Sequence, residues 1–301
     1  MQSLLYYSHS GRFSGSGLAA AIGATVGAGL VLAVLYAYLI LYIPLAGFVS
    51  FLLAGGFGWG MGLVMAKMLK MGRVRNVALA VGSAVFAGLV GYAFSWMVWM
   101  YAFYHRVDVD VPFAEVMNPR VFWDLLTLVN ESGAWTVSST TPTGIALWVI
   151  WGLEATIVLG IAAWIPWKEI RDLTFCESCD GWCVSNKKAV VKGVDAMELT
   201  TKMEGHDFGY LEKVGAPAGD GMEFCRIELS SCPKCDATHT LTAQSVAVKV
   251  NKKGEHSEKK KTVLDRLLLT LKDAQSVRAV CDKLNAPPPA TPEPPPNPQA
   301  A

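Results

Sequence analysis

Two pairs of cysteines, each with two residues between its members, carry the clearest chemistry in the sequence. Cys176 and Cys179 form the first pair, and Cys232 and Cys235 form the second. Two pairs of this kind can converge on one tetrahedral site, and Zn²⁺ prefers four such thiolate ligands at about 2.3 Å. Strand-like segments lie on both sides of the second pair. The sequence therefore predicts a zinc-ribbon-like site with Zn²⁺ as cofactor and these four cysteines as ligands.

Two further cysteines and the long spacing leave alternatives open. Cys183 and Cys225 could replace a ligand, support the site as accessory thiols, or be small buried apolar residues. Residues 180–231 separate the two pairs, which is longer than the roughly 15–20 residues of a compact ribbon, so we expect an insertion between them. A redox C-x2-C motif competes with zinc, but it is typical of a βαβ setting that this pattern lacks.

The elements that precede the cysteines have the composition of membrane helices. The chain is only 17% charged, against about 25% in soluble proteins, and residues 13–104 contain four charged residues, all within 67–75. A membrane-spanning helix needs about 20 apolar residues. We predict an N-terminal cytoplasmic segment 1–16, a transmembrane domain 17–166 and an external loop 105–143, with helices at 17–43, 45–66, 77–104 and 144–166.

The loops between these helices predict their orientation. The link 67–76 holds four basic residues and no acidic one, whereas the loop 105–143 is predominantly acidic. Because short cytoplasmic loops are enriched in Lys and Arg, both chain termini are expected in the cytoplasm. Thiols in that compartment stay reduced, which disfavours disulfides.

One ionisable residue lies inside a predicted membrane helix. Glu154 stands near the middle of the fourth segment, and no Lys or Arg lies at comparable depth. A central carboxylate costs roughly 2.5–3.5 kcal/mol on insertion scales, so we expect it to face protein or water rather than lipid. The candidate partners are hydroxyl groups: Tyr36, Tyr38, Ser50, Ser83 and Ser95. The site is interpreted as a hydrogen-bond clamp between helices, with a proton or cation relay as the alternative.

The overall fold class follows from these segments. We predict an α-helical membrane bundle of four transmembrane helices, then a small α+β zinc-ribbon-like cytoplasmic domain at 167–285, and a disordered Pro-rich tail at 286–301. Lysines around 249–261 form a basic stretch that two glutamates interrupt. With a net charge of only +1, this stretch favours a solvated hairpin over a nucleic-acid contact.

Several short motifs of the membrane half resemble a group of uncharacterised bacterial multi-pass membrane proteins. The motifs are SGRFS (10–14), YIPLAG (42–47), GFGWGMG (56–62), GRVRN (72–76) and the segment around Trp148, Trp151 and Glu154. The resemblance covers roughly residues 7–166. The resemblance implies a four-helix membrane bundle and does not imply any biochemical activity.

No catalytic motif of the nucleotide-binding, serine-hydrolase, metalloprotease or kinase type occurs in the sequence. We therefore expect a non-enzymatic membrane protein that acts as a zinc-binding adaptor or scaffold for a cytoplasmic protein partner. The alternative is a transporter of protons, ions or a small solute, with Glu154 in the path and the zinc domain regulatory.

Small residues four apart predict close helix packing, either within one chain or in a homo-oligomer.

Overall fold

The computed structural model describes residues 5–43, 48–133, 141–192, 194–211, 223–250 and 256–285. The chain divides into two compact units. The membrane unit comprises residues 9–173, and the C-terminal unit comprises residues from 174 onward together with residues 1–8. The predicted Pro-rich tail 286–301 lies outside the described residues.

The first three long helices are α1 (Gly15–Tyr42), α2 (Phe48–Met71) and α3 (Val77–Arg106). Ser14 caps α1 by accepting a hydrogen bond from the backbone N–H of Gly17, and Asn76 caps α3 through the N–H of Leu79. Such caps satisfy N–H groups that have no partner inside the helix. Ser14 and Asn76 therefore fix the residues at which α1 and α3 begin.

The segment between α3 and the last membrane helix holds two shorter helices, α4 (Phe113–Val116) and α5 (Pro119–Ser132). The long helix α6 (Gly144–Asp172) follows. It continues past Pro166, the last residue of the fourth predicted membrane span. All four long helices are long and apolar enough to cross a membrane. The predicted four-helix membrane bundle is confirmed.

Close backbone approach joins α2 to α6 within the membrane unit. A Cβ atom added at Gly58 would overlap the backbone of Val158. Only glycine permits this distance, so the glycine-rich segment of α2 packs against α6 of the same chain.

The C-terminal unit is an antiparallel sheet with helices on one face. From residue 174 onward, the unit begins with a hairpin of two short strands, β1 (Phe175–Cys176) and β2 (Gly181–Trp182). The elements that follow are β3 (Val184–Lys192), α7 (Ala196–Glu204), β4 (Glu223–Ser231), β5 (His239–Val250), β6 (His256–Leu269) and α8 (Leu271–Leu284). The four longer strands pair in the order β3-β4-β5-β6. Apolar side chains of this sheet and of both helices form one buried core. The predicted α+β domain is confirmed.

The N-terminal residues extend this sheet. Leu5 accepts a hydrogen bond from the N–H of Leu268, and the N–H of Tyr7 donates to the carbonyl of Arg266, both at 2.9 Å. Tyr6 pairs with Leu267 in an antiparallel bridge. Residues 5–7, here called the N-terminal strand, thus lie along the edge of β6.

Candidate metal centre

Two hairpin turns bring the four predicted cysteine ligands together. Cys176 ends β1 and Cys179 lies in the turn before β2, while Cys232 and Cys235 lie in the turn between β4 and β5. Their four sulfur atoms all lie within 4.8 Å of one another. Each hairpin turn thus supplies one pair of cysteines to a cluster that could hold a metal ion.

The distances between the sulfur atoms suit a tetrahedral ion. Four sulfurs placed about 2.3 Å from one ion stand about 3.8 Å apart. The Sγ atoms of Cys176 and Cys235 are 3.6 Å apart, and all seven cysteines of the chain are free thiols. The cluster can therefore hold a metal ion without rearrangement of the backbone.

The electrostatics of the cluster show why it would attract a cation. Burial by itself raises the pKa of Cys176, but hydrogen bonds from Thr238, from the backbone of Cys179 and from the neighbouring thiols lower it to about 7. The hydrogen bond that Cys179 shares with Cys235, followed by burial, raises the Cys179 pKa to about 12. The first thiol thus loses its proton readily, and the negative charge it leaves opposes deprotonation of the next thiol. A divalent cation bound between the sulfurs would offset the repulsion between these negative charges.

A buried histidine fixes the second turn. His239 is 1% exposed, its Nδ1 lies 2.9 Å from the Ser231 hydroxyl, and its Nε2 lies 3.2 Å from the carbonyl oxygen of Asp236. Because a carbonyl only accepts, Nε2 carries the proton and Nδ1 accepts from Ser231. Both ring nitrogens are occupied, so His239 supports the turn and does not compete as a ligand.

The structure separates the two accessory thiols. Cys183 is buried against the four-cysteine cluster, and burial together with the nearby thiols raises its pKa to about 12. Its sulfur is not one of the four that converge. Cys225 lies on β4 opposite Val191 and Ser245, inside the apolar core of the sheet.

In the membrane unit, Glu154 joins three helices. Tyr36 of α1 donates a hydrogen bond to Glu154 Oε1 of α6 at 2.5 Å, and Tyr92 of α3 donates to the same oxygen at 3.4 Å. Tyr92 also lies 3.4 Å from the carbonyl oxygen of Trp151. Tyr36 is one of the five hydroxyl partners considered from the sequence, whereas Tyr92 was not among them.

The surroundings of this carboxyl group are aromatic. Phe57 stacks on Tyr36 with ring centroids 5.2 Å apart. Trp96 meets Tyr92 edge-on at 6.4 Å and Trp151 at 4.9 Å. The carboxyl group therefore has hydroxyl donors on one side and apolar ring surface around them, an arrangement that suits either a clamp between helices or a site that exchanges a proton.

Comparison of the chain with protein-family models, curated proteins and solved structures finds no match.

Proposed function

We propose that the protein is a non-enzymatic, membrane-anchored zinc-binding adaptor whose C-terminal unit docks a cytoplasmic protein partner. The observation that carries the proposal is the convergence of four thiols in two hairpin turns. Four protein ligands fill a tetrahedral zinc site, whereas catalytic zinc keeps one position open for water or substrate. A closed site of this kind stabilises a binding surface and supplies no reactive position.

The N-terminal strand supports a topology in which the N-terminal residues and the C-terminal unit lie on the same side of the membrane. Its pairing with β6 requires residues 5–7 and the C-terminal unit to share one side of the membrane. Four membrane helices between them satisfy that requirement. The basic link 67–76 favours the cytoplasmic side of a bacterial inner membrane, where thiols stay reduced.

The sheet face opposite α7 and α8 suits a protein partner better than a nucleic acid. Side chains on that face include Lys188, which pairs with Glu228 at 3.4 Å, and Lys260, which pairs with Glu258 at 3.1 Å. Val190, next to Lys188 in the sequence, is 43% exposed. The two lysines named on this face are each paired with a glutamate and lie near an apolar position, whereas phosphate binding needs an excess of positive charge.

Metal analysis of the purified full-length protein tests the zinc site. We expect one Zn²⁺ per chain in the wild type and loss of that zinc in Cys232→Ser. Cys225→Ala is the matched control, because Cys225 lies in the apolar core away from the cluster, and it should retain zinc. Wild-type protein without bound metal, or equal zinc content in both variants, would contradict the proposal.

Co-purification from native membranes tests the adaptor role. A partner protein should be recovered with the wild type and with Cys225→Ala and be lost with Val190→Asp, which places a charge at the exposed apolar position of the sheet face opposite α7 and α8. Recovery of the same partner with Val190→Asp would show that this sheet face is not the docking element.

A second candidate function is transport of a proton, an ion or a small solute through the membrane unit. It is favoured by Glu154, whose carboxyl group faces two tyrosine hydroxyls on neighbouring helices. Glu154→Gln keeps the size and hydrogen-bonding capacity of the side chain but cannot change charge. A proteoliposome flux present in the wild type and absent in Glu154→Gln would establish this function in place of the adaptor.

A further inference from the structure

We propose that metal binding at the cysteine cluster and docking of the N-terminal strand on β6 are coupled, and that the hydroxyl group of Tyr7 couples them. The inference rests on the proposed zinc site and adds a regulated element to it. The ligand that controls the strand is the divalent cation itself, and the residue that transmits its binding lies outside the cluster.

Backbone and side-chain contacts hold the N-terminal strand on the sheet. Two backbone hydrogen bonds join it to the edge of β6, from Leu268 N–H to Leu5 and from Tyr7 N–H to Arg266. The Tyr6 hydroxyl donates to the carboxylate of Glu204 at the end of α7. Three residues on a sheet edge form a marginal strand, because a single pairing buries little surface.

A further polar contact of the strand leads to the metal site. The backbone N–H of Phe175 donates to the Tyr7 hydroxyl at 3.0 Å, and Phe175 immediately precedes the ligand Cys176. The Arg266 guanidinium lies over the Tyr7 ring, 5.4 Å from its centroid. Tyr7 thus rests on β6 with its ring and reaches β1 with its hydroxyl group.

Bound metal would add to the contacts that hold Phe175, because its hairpin is short and is otherwise tied by the Cys183 N–H bond to the Thr174 carbonyl at 2.8 Å and by the contact of the Thr174 and Thr240 hydroxyls at 3.0 Å. β1 and β2 have two residues each, paired as Phe175 with Trp182 and Cys176 with Gly181. The hairpin meets the second turn at the cysteine cluster, where the sulfurs of Cys176 and Cys235 approach to 3.6 Å. An ion bound by all four sulfurs fixes that hairpin and with it the N–H group that Tyr7 accepts from.

Coupling of this kind is reciprocal. If bound metal strengthens the anchoring of Tyr7, then the Tyr7 hydroxyl must strengthen metal binding by the same factor. One hydrogen bond between neutral groups corresponds to a factor of roughly 2–10.

Two phenylalanine variants of neighbouring tyrosines separate coupling from docking. Tyr7→Phe keeps the ring beneath Arg266 and removes the hydroxyl that accepts from Phe175. Tyr6→Phe is the matched control, because it removes the bond to Glu204 on α7 and touches nothing at the metal site. Both variants are made in the full-length protein in detergent, and the probe is Zn²⁺ competed against a chromophoric chelator.

We expect the apparent Zn²⁺ dissociation constant of Tyr7→Phe to rise roughly 2–10-fold, and that of Tyr6→Phe to stay within twofold of the wild type. Hydrogen exchange of residues 5–8 should rise in both variants, because both loosen the strand. Equal affinities in the two variants, with zinc bound normally by the wild type, would overturn the inference alone. A wild-type chain that binds no zinc would overturn the proposed function as well.

Discussion

The carboxyl group of Glu154 offers a direct measurement of what one buried polar contact contributes inside the membrane unit. Glu154→Leu removes the oxygen that accepts from Tyr36 at 2.5 Å and from Tyr92 at 3.4 Å. The two tyrosines lose different amounts. Tyr92 still has the carbonyl oxygen of Trp151 at 3.4 Å, whereas Tyr36, only 6% exposed, loses a short hydrogen bond. The cost should therefore come mainly from Tyr36.

The magnitude follows from hydrogen bonds measured between membrane helices, which average about 0.6 kcal/mol and reach about 1.7 kcal/mol. Because the bond to Tyr36 is short and buried, we expect Glu154→Leu to destabilise the bundle by about 1–2 kcal/mol. Glu154→Gln retains an acceptor oxygen and should cost less than about 0.5 kcal/mol. Tyr36→Phe combined with Glu154→Leu should cost little more than Glu154→Leu alone, because both remove the same bond.

Reversible unfolding of the full-length protein in mixed micelles, followed by tryptophan fluorescence, measures these differences. Thr156→Val in the same helix is the matched control, because the exposed Thr156 hydroxyl bonds only the carbonyl of Gly152 one turn away. Equal stability of Glu154→Leu and Thr156→Val would refute the clamp. A Glu154→Gln variant as unstable as Glu154→Leu would show that the contact needs a charged carboxylate.

Two further predictions concern orientation and pH. Reporter fusions after Arg75 and after Thr136 should report the cytoplasm and the exterior respectively, and the reverse pattern would contradict both the orientation and the argument for reduced thiols. Although burial raises the pKa of Asp273, hydrogen bonds from the N-cap Thr270 and from His206 lower it below its ordinary 3.8. The carboxylate therefore stabilises α8 above that pH and loses its effect as the pH falls through the lower folded value. Asp273→Asn should cost about 1 kcal/mol at pH 7 and progressively less in acid, as thermal unfolding across that range would show.

Hydropathy located the membrane spans, and α2 and α6 run past the predicted limits of the second and fourth spans. The second segment was predicted to end at Ala66, before the first lysine, whereas α2 continues to Met71. Lysines remain helical at a membrane boundary because their long side chains reach the polar layer. The fourth segment was ended at Pro166, yet α6 runs on to Asp172. Proline removes one backbone hydrogen bond, and that loss does not stop a long helix held by its neighbours.

The sequence predicts how deep a residue lies in the bilayer, but it does not predict which side of its helix faces the other helices. Tyr36 and Tyr38 lie at nearly the same depth in α1, and both were candidate partners of Glu154. Tyr36 is 6% exposed and faces Glu154, whereas Tyr38 is 40% exposed. Two residues advance a helix by about 200°, so only the packing of the other helices decides which side chain faces inward.

The cysteine pairs were predictable because ligand spacing is local, whereas the strand that contacts their hairpin was not. Leu5, Tyr6 and Tyr7 form too short a segment for an alternating pattern to be recognised. Their pairing with β6 depends on an edge that forms only after the whole sheet has assembled. Long-range pairing of this kind leaves no periodic signal in the sequence.

The long insertion between the ligand pairs determines what the metal does for the fold. The chain between them builds β2, β3, α7 and β4, and apolar side chains of β3, α7 and β4 join the core of the C-terminal unit. The ligand cysteines form a separate cluster that includes none of these core residues. Removal of metal by a chelator should therefore raise hydrogen exchange in residues 175–183 while β4 stays protected, because two-residue strands cannot persist alone. Simultaneous loss of protection in β4 would show that the core depends on the metal, as it does in compact zinc domains.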